Sequence, residues 1–217
     1  MMHDYSSLKR QHRELRAGFD EPFSIRMHRA LSWLDRAEKE IDDPDAGFIF
    51  YWVSFNANYS MQKEDAKDLS EVDRFKQYFE LIVKCDVDKQ IYNLVWQNFT
   101  NEIRAILENE YIFSVFWKSR AQDEIHSWKQ SFEASKLVVA KALARTDTVL
   151  LLQVLFSRLY TLRNQLVHGN ATWNGSINRD QVINGFRVLS KLQPIFLAIM
   201  MTHPHEEWGE LAYPIMD

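Results

Sequence analysis

Between Thr148 and His168, leucine returns at positions 152, 155, 159, 162 and 166. Steps of three and four residues put all five side chains on one stripe of an α-helix, where successive residues turn by about 100°. A strand cannot present this set on one face, because its side chains alternate at every residue. Leu151 and Phe156 flank the stripe, and Thr146 or Asp147 stands where an N-cap belongs. The same period runs through most of the chain. Ile25, His28, Leu31, Leu34 and Ile41 mark a helix over 24–41, with His28 read as a packed core residue. Phe75, Phe79 and Ile82 mark one that Ser70 caps and Lys84 ends, and Ile91, Val95, Ile103, Ile106 and Leu107 mark one over 88–108. Further helices are expected from Ser7 to Gly18, over 123–144 and over 179–201, the last kinked or interrupted by Pro194. The run "AGFIFYWVSFNANYSMQ" is apolar on nearly every side, as a central helix with no solvent face would be. Only 6 Gly and 5 Pro are present, too few for the turns of an all-β protein. The expectation is an all-α, up-and-down bundle of six to eight helices with no substantial β-sheet.

No Pro/Gly/Ser-rich linker divides the 217 residues. We read 1–20 as an N-terminal helical arm, 21–205 as a single helical domain and 206–217 as an irregular C-terminal tail, with the charged run over 63–73 as a solvated connection. Cys85 is the one cysteine, so neither a disulfide framework nor a thiolate metal site forms within one chain. In "HPHEE", His203 to Glu207, Pro204 breaks the helical spacing that two histidine ligands need, and no third ligand is evident; no metal is expected. The N-terminus has no apolar run of signal-peptide length, and "TVLLLQVLF" and "PIFLAIMM" are short for a membrane span. A cytoplasmic protein without membrane contact is expected. The net charge of −4 gives no global sign of a nucleic-acid partner, so such binding must rest on a local cluster.

The face of the 148–168 helix opposite the leucines holds Gln153, Ser157, Thr161, Asn164 and His168. This helix has no Lys, Asp or Glu, and Arg158 and Arg163 are its only permanent charges. A solvent face normally carries several Lys and Glu. A neutral polar seam instead fits a second packed surface: another helix, another subunit or a cleft. Asn164 and His168 are neighbours at a spacing of four. Gly169 follows as a helix-ending glycine. An imidazole that titrates near neutral pH, beside an anion-binding guanidinium, suits phosphodiester chemistry. From periodicity alone a plainer reading stands beside this one, in which Arg163 pairs with a carboxylate elsewhere and His168 caps carbonyls.

The heptapeptide "RNQLVHG", Arg163 to Gly169, resembles the signature of the HEPN family (higher eukaryotes and prokaryotes nucleotide-binding): Arg, four to six residues of which the first is often polar, then His near the end of a long helix. "FIFYWVSFNANYS" is similar to the early aromatic helix of the bacterial Apea-like HEPN group, with its Trp and Phe-Asn-Ala-x-Tyr pattern. The resemblance implies a HEPN-type bundle, a homodimer, and a metal-independent endoribonuclease that needs no cofactor. It implies that His168 transfers a proton at the RNA 2′-OH or leaving oxygen, that Arg163 holds the scissile phosphate, and that Asn164 orients one of them. Two such motifs, one from each subunit, would share a cleft. By family analogy the setting is bacterial defence or a toxin system, with RNA as substrate and a protein partner or antitoxin. Other members are inactive modules that dimerise or bind nucleotides or proteins, and that is the alternative. Arg158 and Arg179 lie near the motif in sequence, and Arg120, Lys129, Lys136 and Arg145 would add to an RNA surface if folding brings them close. Trp33, Trp52, Trp96, Trp117 and Trp128 have the spacing of core residues; Trp173, in the loop after the motif, is the one to test as a stacking residue, although packing over the loop is the expectation there too.

Overall fold

A computed structural model of the chain describes residues 3–59, 70–98, 100–121, 127–211 and 213, and every regular element among them is helical. In order they are α1 (Tyr5–Leu15), α2 (Glu21–Glu38), α3 (Pro44–Tyr59), α4 (Glu71–Lys84), α5 (Gln90–Asn93), α6 (Thr100–Leu107), α7 (Ser114–Ala121), α8 (Ser127–Arg145), α9 (Thr148–Val167) and α10 (Arg179–Thr202). The protein is an all-α helical bundle. Residues 63–69 of the expected connection, and the expected start of the 123–144 helix, lie outside the described residues.

Cap side chains explain where the helices begin. Ser70 accepts the Asp73 N–H and starts α4, and Asp147 accepts the Leu150 N–H at 3.0 Å and starts α9. Two starts differ from expectation. Asp4, not Ser7, caps α1: Ser7 donates its N–H to Asp4 Oδ1 and accepts from the Asp4 N–H, which is a capping box. Asp20 caps α2 and Pro22 lies in its first turn, where the missing N–H has no helical partner to lose. Phe23, Met27, Ala30, Leu31, Leu34 and Ala37 are buried, His28 is exposed rather than packed in the core, and Ile41 lies beyond the helix end at 73% exposure. The helix expected over 88–108 is also broken, into α5, a π turn at Leu94–Asn98, and α6.

α3 is the central helix, as its all-round apolar sequence requires. Phe48, Trp52 and Phe55 are fully buried among α2, α9 and α10. Two Gly-Phe steps mesh where α3 crosses α10: Gly47 faces the Phe186 ring and Gly185 faces the Phe48 ring. α10 runs unbroken through the buried Pro194. It is the one helix among the described residues long and apolar enough to cross a membrane, and 61% of its most apolar window is buried inside the bundle. A polar node sits in this core. Gln193 Nε2 donates to Ser54 Oγ at 2.9 Å and lies 3.0 Å from the Asn58 carboxamide, which also meets the Tyr78 hydroxyl at 2.7 Å. Buried Arg26 donates to the Asn58, Gly209 and Glu210 carbonyls, tying the chain after α10 to α2 and α3.

α9 is held on α3, α4, α6 and α8 by its leucine stripe. A separate small core of Phe113, Phe116, Trp128 and Phe132 joins α7 to α8. Arg158 connects the two parts. It is buried, its guanidinium carbon lies 4.3 Å from the Phe113 ring centre and 5.5 Å from that of Phe132, and Nη2 donates to Ser135 Oγ at 2.8 Å.

Candidate functional site

The C-terminal half of α9 builds the floor of a groove of about 820 Å³. Four of the five residues read as its neutral seam, Ser157, Thr161, Asn164 and His168, line this groove together with Tyr160 and Gln165. The seam therefore faces a cleft. Ser157 Oγ donates to the Gln153 carbonyl and Thr161 Oγ1 to the Ser157 carbonyl, so both hydroxyls are satisfied along the helix and the floor is neutral and smooth. One wall is the start of α4, with Ser70, Val72 and Phe75, and the other is α7, with Ser114, Trp117 and Lys118. Asn170 and Asn178 close the end beyond His168.

α9 stops sharply at this end. His168 is its C-cap, Gly169 takes φ +69°, the Gly169 N–H donates to the Leu166 carbonyl, and the Asn170 N–H donates to the Gln165 carbonyl at 2.8 Å. This is a Schellman closure, and its left-handed residue favours glycine. The closure leaves the His168 imidazole exposed at the mouth of the groove.

The three candidate residues are not equivalent in position. Asn164 and His168 both line the groove, one helical turn apart. Arg163 is half-buried on the adjacent flank and is not part of the groove lining. Its Nη1 donates to Asn164 Oδ1 at 2.9 Å, so the asparagine ties the guanidinium to the edge of the groove. A single chain thus brings two of the three side chains to one cleft and leans the third against it.

Two cations near the motif are already engaged. Arg158 is enclosed between Phe113 and Phe132, where burial pushes its pKa down to about 10, and it is not part of the groove lining. Arg179 is paired with Asp45. Lys136 pairs with Glu133 at 2.7 Å, whereas Arg120 and Lys129 line a smaller cavity on the far side of Trp117. Trp173 is exposed in its loop, and its indole N–H donates to Asp43 Oδ2 at 2.9 Å. His203 ends α10, with Nδ1 2.9 Å from the Ile199 carbonyl.

Sequence reasoning missed Trp117, Lys118 and Gln165 as site residues. Helical spacing places Trp117 in the core, yet it is 44% exposed and forms a wall of the groove. Gln165, inside the motif itself, donates from Nε2 to the Tyr111 carbonyl at 2.7 Å and so fastens that wall to α9. The available signal was the run "YIFSVFWKSR", where cations follow directly on aromatics.

No family model, curated protein or solved structure matches this chain.

Proposed function

We propose that the protein is a HEPN-type, metal-independent endoribonuclease whose active site is completed by a second copy of the chain. The single observation that carries this reading is the disposition of Arg163, Asn164 and His168: an exposed imidazole and an amide-tethered guanidinium at the rim of an open groove whose α9 floor is polar and uncharged. Val72, Val167 and Ile177, exposed apolar residues on or next in sequence to the groove lining, supply a surface that a second copy would cover.

The chemistry follows from the residue types. RNA carries its own nucleophile in the 2′-OH. One His168 takes the 2′-OH proton as the oxygen attacks phosphorus. The P–O5′ bond breaks, and the same imidazole, now protonated, gives that proton to the leaving O5′ while the facing copy's Arg163 holds the phosphate. The products are a 2′,3′-cyclic phosphate and a 5′-hydroxyl. Arg163 stabilises the negative charge that grows on the non-bridging oxygens, and the Asn164 amide holds its direction. Arg163 and His168 lie about 140° apart around α9, five steps of about 100°. One helix therefore converges them poorly on one phosphate, and two facing copies relax that demand. The proposed setting, bacterial defence or a toxin system, rests on the family resemblance alone.

The test is cleavage of unstructured RNA in the presence of a chelator. His168→Ala and Arg163→Ala should each lower the rate by roughly 10²–10⁴-fold, the range for a lost proton-transfer or charge-stabilising group. Wild-type activity in both variants would remove these residues from catalysis. A wild-type chain that dimerises and binds nucleotides without cutting RNA would instead favour the inactive-module alternative.

A further inference from the structure

On the other side of Trp117 lies a second cavity, of about 550 Å³. Tyr111, Phe116, Trp117, Trp128, Arg120 and Lys129 line it, and Glu110 is the one carboxylate among its lining residues. Trp117 lines both this cavity and the motif groove, so the two share a wall.

The aromatic side chains are held rigidly yet left open. Trp117 and Tyr111 are 44% and 45% exposed. The Trp117 indole N–H donates to the Tyr111 carbonyl at 2.8 Å. Phe116 meets Trp117, Trp128 and Tyr111 edge-on, with ring centres 5.0, 4.8 and 5.5 Å apart. The exposed rings are therefore braced from behind. Cations stand beside them: Arg120 lies 5.3 Å from the Phe116 ring centre and Lys129 lies 6.0 Å from that of Trp128. Lys118 lines the groove side of the same helix. From 111 to 163 the sequence carries eight Lys/Arg against four Asp/Glu, in a chain of net charge −4. Of these eight, Arg120 and Lys129 line the cavity and Lys118 lines the groove beside it. The Tyr111 carbonyl also accepts from Gln165, two residues after Arg163, so the platform is fastened to the motif itself.

Braced, exposed aromatic rings flanked by cations are the chemistry that holds unpaired bases and their phosphates. We infer that the Trp117 cavity is a subsite for an unpaired base of single-stranded RNA and its flanking phosphate, on the strand that runs into the motif groove. The choice of RNA rests on the ribonuclease reading above. A paired duplex keeps its base faces stacked inside, so the subsite selects single strands.

Binding tests the inference independently of cleavage. The probes are fluorescent oligo(U) RNA and a blunt RNA duplex, titrated into the full-length His168→Ala protein by anisotropy. In that background, Trp117→Ala should weaken oligo(U) binding by roughly 5- to 100-fold, the range for one lost stacking partner. Trp117→Phe should recover most of the loss, which also shows that the fold survives a change at this position. Arg120→Gln and Lys129→Gln should each lower the slope of log affinity against log salt by about 0.7, one phosphate contact apiece. The duplex should bind more weakly and be indifferent to Trp117. Oligo(U) affinity unchanged by Trp117→Ala, no oligo(U) binding by the parent, or equal dependence of the duplex on Trp117 would each overturn the subsite. A chain that binds through Trp117 but never cuts RNA keeps the subsite and loses the ribonuclease reading. A chain that cuts RNA with Trp117→Ala affinity unchanged does the reverse.

Discussion

Gly185→Ala tests the packing that supports the motif helix. In an ordinary helix interior this change stabilises by about 0.5–1 kcal/mol, because alanine loses less backbone freedom on folding. Here a Cβ would come within 2.9 and 3.1 Å of the Phe48 ring and 3.2 Å of Leu162 Cδ2. Phe48 and Leu162 are themselves essentially fully buried, so neither can swing away into solvent. Overpacking of this kind costs about 1–3 kcal/mol. Set against the helix gain, the net is a loss of up to about 2.5 kcal/mol, centred on about 1 kcal/mol, or about 2–4 °C in Tm for a chain of this size. Urea denaturation should show a lower midpoint with an unchanged slope. Phe48→Leu makes room for the new methyl, so the double variant should be more stable than the two single losses predict, by about 0.5 kcal/mol or more. Gly169→Ala is the control. Nothing lies within 4 Å of its Cβ, but φ is +69°, so it should lose about 1 kcal/mol through backbone strain and gain nothing from Phe48→Leu. Should Gly185→Ala raise the midpoint, as bare helix propensity demands, the close approach of α10 to α3 and α9 is not as described.

Three further outcomes are expected. Asn164→Ala removes the acceptor that steers Arg163 and should slow RNA cleavage by roughly 10- to 100-fold, while the melting midpoint of this half-exposed site barely moves; cleavage at the wild-type rate would deny Asn164 its positioning role. Arg158→Met should leave the salt dependence of RNA binding unchanged, because the guanidinium is enclosed by Phe113 and Phe132; a slope smaller by about 0.7 would mean that Arg158 does contact a phosphate. His12 titrates below its ordinary value of 6.5, because burial disfavours imidazolium and the charges of Lys9, Arg16 and His28 repel it. The unfolded chain therefore takes up this proton first, so His12 lowers stability as pH falls through 6.5 and continues to do so until the folded His12 is also protonated. His12→Leu should flatten urea midpoints between neutral and mildly acidic pH, and an unchanged pH slope would remove His12 as the cause.

Much of the fold is legible because helical period and cap chemistry are local. Ser70 precedes an apolar stripe and is itself the cap, and the leucine stripe of α9 is the buried one. Asp4 and Ser7 were harder to separate, since both are cap formers and each bonds the other. His28 was misplaced because it lies one step of about 100° from Met27, at the edge of the buried stripe, where period alone does not separate a packed side chain from an exposed one. The break over 88–108 has no local breaker to announce it. The floor of the groove was visible as a seam without charge, but its walls were not, because α4 and α7 reach it only through tertiary packing. Trp117 and Arg158 show the same limit in opposite directions. An eight-residue helix packs through Phe116 and leaves its neighbour Trp117 outside, and a permanent charge on α9 is buried because two distant phenylalanines supply its faces.

Mixing of inactive chains tests most directly the claim that Arg163 and His168 from two copies cut RNA together. Arg163→Ala and His168→Ala proteins, each inactive alone, are combined after reversible dissociation and assayed on unstructured RNA with chelator present. About half of the dimers in an equimolar mixture pair one of each, and these hold an intact Arg163 on one chain and an intact His168 on the other. The account predicts that activity returns on mixing, with 2′,3′-cyclic phosphate and 5′-hydroxyl ends. No return of activity, or full activity in either variant before mixing, would contradict it.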